Sequence, residues 1–183
     1  MRGYDAAYCF GAYEGTLREL IHLFKYGRIK PLARTLGELL AGALPLEEQF
    51  AAVVPVPLHW SRAWQRGFNQ SELLARFVAR RRRVPVRNLL RRVKATRAQA
   101  GLSDHGRREN VASAFQVRRS RRLDGLNLLL VDDVMTTGST AASCARALKR
   151  AGARRVALLT IARVDRRFQV GAPAVASTLG GHL

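Results

Sequence analysis

Cysteine is scarce in this chain. The 183 residues include two, Cys9 and Cys144, far apart and with no Cys-x-x-Cys pair anywhere. Neither a structural disulfide nor a zinc site is expected from them. Histidine is nearly as rare, at four residues, none with metal-ligand spacing to another. No apolar run approaches the roughly 18 residues that would suggest a membrane span. The N-terminus lacks the basic start, apolar middle and small-residue cleavage site of a secretory leader, so a cytoplasmic location is the expectation. Acidic side chains are few: 13 against 32 lysines and arginines, nearly all arginine, for a net charge of +19. Such a balance favours polyanionic partners, whether phosphorylated metabolites, nucleic acid or an acidic protein surface. The base composition of an arginine-rich genome would produce the same excess, so charge alone does not choose among them.

What is present suits one α/β domain with a sizeable core: the length is ordinary for one and the apolar share is 48%. Thr16 to Tyr26 has Leu17, Leu20, Ile21 and Phe24 at helical spacing, with Gly27 to end the helix. Pro31 opens a second helix carrying Leu32, Leu36, Leu39, Leu40 and Ala43 on one side. Ala51 to Val56 reads as the first core strand, stopped by Pro55 and Pro57. Asn69 or Ser71 caps the next helix, which runs to about Arg82 with Leu73, Leu74, Phe77 and Val78 inward. Leu89–Lys94 and Ala112–Val117 are short strand candidates flanking a polar loop, Thr96–Glu109. A strand from Leu128, a helix from Thr140 to Ala151 and a strand over Arg155–Ile161 complete the pattern. Residues 1–15 show no firm pattern. Alternating strands and helices with near-continuous apolar strands predict a parallel sheet covered on both faces.

Residues 128–140 carry the most chemistry: Leu-Leu-Leu-Val-Asp-Asp-Val-Met-Thr-Thr-Gly-Ser-Thr. Four apolar residues lead to Asp132 and Asp133, then to Thr136, Thr137, Gly138, Ser139 and Thr140 at the start of a helix. Carboxylates accept hydrogen bonds from vicinal ribose hydroxyls and attract a divalent metal. A hydroxyl- and glycine-rich turn at a helix N-terminus offers backbone N–H groups and a favourable dipole to a phosphate. The order of parts resembles the signature with which type I phosphoribosyltransferases bind 5-phosphoribosyl pyrophosphate (PRPP).

A second stretch, residues 53–70, ends a strand in Val-Pro-Val-Pro and continues into Arg66-Gly67-Phe68-Asn69-Gln70. The backbone N–H groups of Leu58 and His59, with Arg62 and Arg66, are candidate donors to pyrophosphate. Together with Lys25-Tyr26-Gly27, Thr96, Gln99, Arg107, Arg108, Asn110, Val111, Ala114-Phe115 and Ala162-Arg163, these residues resemble the ComF/GntX family over roughly residues 10–165. That family comprises phosphoribosyltransferase-like proteins linked to competence for DNA uptake. Its members commonly begin with a four-cysteine zinc module, which this chain does not contain, so no zinc is expected here.

The resemblance implies a type I phosphoribosyltransferase fold: an α/β domain with a mostly parallel sheet, helices on both faces, N-terminal helices and a small hood-like appendage. Expected boundaries are an N-terminal helical segment over 1–48, a phosphoribosyltransferase-like domain over 49–167 and a flexible tail over 168–183. The implied activity is phosphoribosyl transfer from PRPP with release of pyrophosphate. Asp132 and Asp133 would be the catalytic pair, Thr136–Thr140 the phosphate turn, and Mg2+ would be held mainly by the substrate, with Asp132 and Asp133 as candidate protein ligands. Lys94, Arg97, Gln99, Arg107 and Arg108 would belong to a lid that closes over the pyrophosphate and excludes water. The acceptor, a nitrogen base by the chemistry, has no evident reader. The competing expectation is a catalytically silent fold acting as a PRPP sensor or as a basic module for single-stranded DNA or the DNA-uptake machinery. A homodimer is compatible with either.

Overall fold

The computed structural model describes residues 3–27, 29–58, 68–93, 114–118 and 123–164. In chain order the elements are β1 (Ala6–Ala12), α1 (Gly15–Tyr26), α2 (Leu32–Gly42), β2 (Ala52–Pro55), α3 (Gln70–Arg82), β3 (Leu90–Arg92), β4 (Phe115–Val117), β5 (Asn127–Met135), α4 (Ser139–Arg150) and β6 (Arg155–Arg163). Four strands form a parallel sheet in the order β1-β6-β5-β2. β3 and β4 pair antiparallel as a separate two-stranded unit.

Side chains alternate across the strands, and the sheet divides two cores accordingly. Val53, Leu129, Val131, Ala157 and Leu159 face α1, α2 and α3, whose Ile21, Phe24, Leu36, Leu40, Leu74 and Val78 are buried against them. Val54, Leu128, Leu130, Val156 and Leu158 face α4 and the β3–β4 pair, where Cys144, Leu148, Leu90 and Phe115 are buried. Cys144 is a small core residue, as its place on the helix predicts, and burial pushes its thiol well up from the usual range. Both cysteines are free thiols. Helices α2 and α3 pack closely because residue 37 is glycine: a Cβ there would lie 2.6 Å from Phe77 Cβ.

Residues 6–12 depart from the helical segment expected over 1–48. They form β1, which pairs with β6 from Ala6 opposite Ala157 to Ala12 opposite Arg163 and occupies one edge of the sheet. At the amino edge, Arg155 of β6 pairs with both carboxylate oxygens of Glu48, and the Tyr8 hydroxyl of β1 donates to Glu48 Oε1. These bonds, led by the one from Arg155, hold the Glu48 carboxyl down at about 2. Arg82, at the end of α3, donates to the carbonyls of Leu44, Pro45 and Leu46. The segment between α2 and β2 is thus fastened to the sheet and to α3 by two arginines.

Candidate functional site

β2 ends at Pro55, opposite Val131 of β5. β5 continues through Asp132 to Met135 with β6 alone beside it. A crevice therefore opens at the carboxyl ends of the strands, the usual place for ligands in open α/β sheets. The amino end of α3 closes one side. Asn69 caps this helix by accepting from the Ser71 N–H at 3.1 Å, and its Nδ2 donates to the Val56 carbonyl at 3.1 Å, tying the helix start to the end of β2. Asn69 and Ser71 were equal candidates for the cap by sequence. With Asn69 in that role, the Ser71 hydroxyl donates instead to Asp132 Oδ1 at 2.9 Å. The Asp133 N–H reaches the same oxygen at 2.9 Å.

The two carboxylates lie inside β5 rather than beyond it, so the period of two separates them. Asp132 lines a concavity with Val134, Met135, the Thr136–Thr140 turn, Ala141 and Thr160. Asp133 belongs to the face covered by α1, α2 and α3, where Lys25 Nζ of α1 lies 3.0 Å from its Oδ2 and both side chains are largely buried. Its Oδ1 accepts from the Val134 N–H at 2.6 Å. The adjacent pair suggested by the sequence is one carboxylate in the concavity and one in an internal ion pair. Burial, reinforced by the negative charge of Asp133, pushes the Asp132 carboxyl up to about 7.

Above Asp132 the chain bends through Thr136–Gly138 and enters α4. Gly138 has a φ of 73°, a left-handed conformation that glycine adopts without strain. A Cβ there would lie 3.2 Å from the Tyr4 hydroxyl oxygen. Thr137 Oγ1 and Ser139 Oγ share a hydrogen bond of 2.9 Å, and the Ser139 N–H leans on Thr137 Oγ1 at 3.3 Å. The turn is thereby shaped by its own hydroxyls. The Thr140 and Ala141 amides belong to the first helical turn, which has no intrahelical acceptors.

Leu58 follows β2 at the same carboxyl edge and is half-buried. The other pyrophosphate candidates, His59, Arg62 and Arg66, lie outside the described residues, as do all five lid candidates, Lys94, Arg97, Gln99, Arg107 and Arg108. β3 and β4 flank in sequence the stretch that holds these five, and Arg92 of β3 lies over the Phe115 ring of β4 at 5.4 Å. The sequence offered Ser71 only as a cap and Lys25 only as part of the family resemblance; neither was placed against the carboxylates. For Ser71 the signal was a surplus cap residue. For Lys25 it was a cation one turn from buried Ile21 on an amphipathic helix.

A larger cavity, about 310 Å³, lies at the amino edge against Phe50, Val53 and Leu129. Its charged side chains, Glu48 and Arg82, are already bonded to protein partners. The concavity at Asp132 is the smaller, but it brings a carboxylate together with the hydroxyls and amides of the turn and with Thr160, whose Oγ1 has no partner. Among the described residues, no three His, Cys, Asp or Glu side chains gather as metal ligands, and no helix is long and apolar enough to cross a membrane.

Parallel sheet, separate two-stranded unit and hydroxyl-lined turn together make a type I phosphoribosyltransferase fold. The structure of the allosteric regulatory enzyme of purine biosynthesis shares it, with a TM-score of 0.50 at 22% identity over 70% of this chain and 25% of that one. The phosphoribosyl transferase domain model matches residues 39–171. Competence protein F of Haemophilus influenzae is 36% identical over 171 residues, which is 87% of this chain and 73% of that protein. DNA utilization protein YhgH of Escherichia coli K12 is 35% identical over 161 residues, 82% of this chain and 69% of that protein. The chain belongs to the phosphoribosyltransferase domain family, in the ComF group with these two relatives.

Proposed function

We propose that the chain binds PRPP at the Asp132 corner and transfers its phosphoribosyl group to a nitrogen-bearing acceptor, releasing pyrophosphate, in the service of DNA uptake or utilization. One observation carries this reading: Asp132 and the Thr136–Thr140 turn line a single concavity at the carboxyl end of β5. In it, the turn and the first amides of α4 take the 5-phosphate, and Asp132 accepts from the ribose hydroxyls. Asp133, held by Lys25 on the other face, fixes the strand end that presents Asp132. The Leu58 amide, His59, Arg62 and Arg66 would meet the pyrophosphate. Lys94, Arg97, Gln99, Arg107 and Arg108 would close over it and exclude water from the developing cationic ring.

The fold family implies Mg2+. A single carboxylate in the concavity and, among the described residues, no three-ligand cluster suit an ion that keeps its waters and arrives on substrate phosphates, with Asp132 the residue to hold it. Bound there, it would offset charge on the leaving group. The link to DNA rests on the names of the relatives, and a cytoplasmic setting follows from PRPP as a metabolite.

Calorimetry with PRPP and Mg2+ tests the pocket, and a screen for pyrophosphate release across bases and amines tests turnover. Binding with release for one acceptor class is the expected result. Absence of PRPP binding would overturn the reading. The net charge of +19 favours a second reading, a basic module for single-stranded DNA with the pocket as sensor. Binding of a labelled oligonucleotide that weakens steeply with salt, together with PRPP binding without turnover, would support it.

A further inference from the structure

Thr160 is the one polar residue in the middle of β6, whose inner positions Val156, Ala157, Leu158, Leu159, Ile161 and Ala162 are all apolar and buried. It is itself fully buried. Its Oγ1 has no hydrogen-bond partner. A buried hydroxyl without a partner is destabilising, and valine would fill the same volume without that penalty. The other threonines among the described residues are exposed, where water can satisfy them. This one is kept at a cost, at a particular place.

The place is fixed by register. Thr160 stands opposite Asp132 in the parallel pairing of β5 and β6. Residues so paired project to the same face, here the face covered by α4. Both line the concavity beneath the Thr136–Thr140 turn. Asp132 Oδ1 is taken by the Ser71 hydroxyl and the Asp133 amide, and neither bond involves Thr160. Side by side, a carboxyl and an unoccupied hydroxyl make a polar floor under a turn of hydroxyls and amides, with apolar core below.

We infer that the Thr160 hydroxyl is a ligand-binding group: with Asp132 it forms the floor of the site and hydrogen-bonds an oxygen of the ribose 5-phosphate half of the bound molecule. The inference rests on the PRPP reading above and adds a residue and a half of the substrate to it. A threonine hydroxyl both donates and accepts, so it serves a sugar hydroxyl or a phosphate oxygen equally. The bond that is missing in the free protein forms when ligand arrives. The penalty of the unpaired group then falls on the empty site alone, and its relief favours the occupied one.

Thr160→Val and Thr160→Ser separate this role from packing. The parent and both variants are titrated with PRPP, with ribose 5-phosphate alone and with pyrophosphate alone, and their thermal unfolding is followed without ligand. Thr160→Val is expected to melt at or above the parent temperature while binding PRPP and ribose 5-phosphate about fivefold to fifteenfold more weakly. Pyrophosphate binding should not change. Thr160→Ser keeps the hydroxyl and should bind within about twofold of the parent. A valine variant that binds ribose 5-phosphate like the parent overturns the inference while leaving the PRPP reading intact. A valine variant that melts well below the parent also overturns it, because the hydroxyl would then have a protein partner. A parent that binds neither PRPP nor ribose 5-phosphate overturns both.

Discussion

Lys25 Nζ lies 3.0 Å from Asp133 Oδ2, joining the last turn of α1 to the strand that carries the candidate site. Both side chains are mostly enclosed, at 15% and 12% exposure, so neither charge can be left alone cheaply. Lys25→Met strands a buried carboxylate and is expected to lower unfolding free energy by about 3–5 kcal/mol. Lys25→Met with Asp133→Asn should recover a large part of that. Denaturant titrations of the four proteins of this double-mutant cycle check the coupling, and strict additivity would refute it.

Asp132 gives the site a dependence on pH. Its carboxyl is raised to about 7 by burial and by Asp133, so the folded protein holds a proton there that the unfolded chain has already released. Stability from this group is therefore lost as pH rises from about 4 towards 7. Ligand binding runs the other way, because the ionised carboxylate is the stronger acceptor for ribose hydroxyls and the better partner for a cation. PRPP affinity should climb as pH rises through about 7 and level off above it. Asp132→Asn should bind about tenfold or more weakly at pH 8 and show a flatter profile. Isothermal titrations at stepped pH decide the matter, and a parent profile as flat as that of the variant would count against the assignment.

Glu48 behaves oppositely. Its carboxyl is lowered to about 2 by hydrogen bonds from Arg155 and then Tyr8. Its contribution is complete above the ordinary glutamate value of 4.5 and disappears as pH falls through about 2. Glu48→Gln should cost about 2 kcal/mol at pH 7, measured by guanidinium unfolding, and the gap to the parent should close progressively on acidification.

The backbone makes a prediction of its own at the end of α3. Arg83 is the only residue other than glycine with positive φ among the described residues, at 54°. It terminates the helix in the left-handed conformation. Arg83→Gly should raise unfolding free energy by about 0.5–1 kcal/mol, seen as a higher melting temperature with ligand binding unchanged. Gly37→Ala should do the reverse, by about 1–3 kcal/mol, because its Cβ meets Phe77.

Much of this architecture is written in local sequence. The helical spacing in α1, α2 and α3 brought Ile21, Phe24, Leu36, Leu40, Leu74 and Val78 to the core as expected. The β5 motif and its turn were legible because strand, acid, hydroxyl and glycine follow one another in a short span. What escaped was set by partners distant in the chain. β1, Ala-Ala-Tyr-Cys-Phe-Gly-Ala, has small residues, little alternation and an edge position, and its stability comes from β6. The split of Asp132 from Asp133 follows from how far β5 extends, which depends on β6 continuing beside it to Arg163. Lys25 and Thr160 could be given roles only once α1 and β6 were placed against β5.

The pairing of β1 with β6 has a consequence for how the molecule is made. Among the described strands β1 is synthesised earliest, and it must wait for β6, the latest of them, before its backbone finds its partner. Until then its amides and the Tyr8 side chain remain exposed to stray contacts. Nascent chains stalled before Arg155 should therefore be the species most dependent on chaperones.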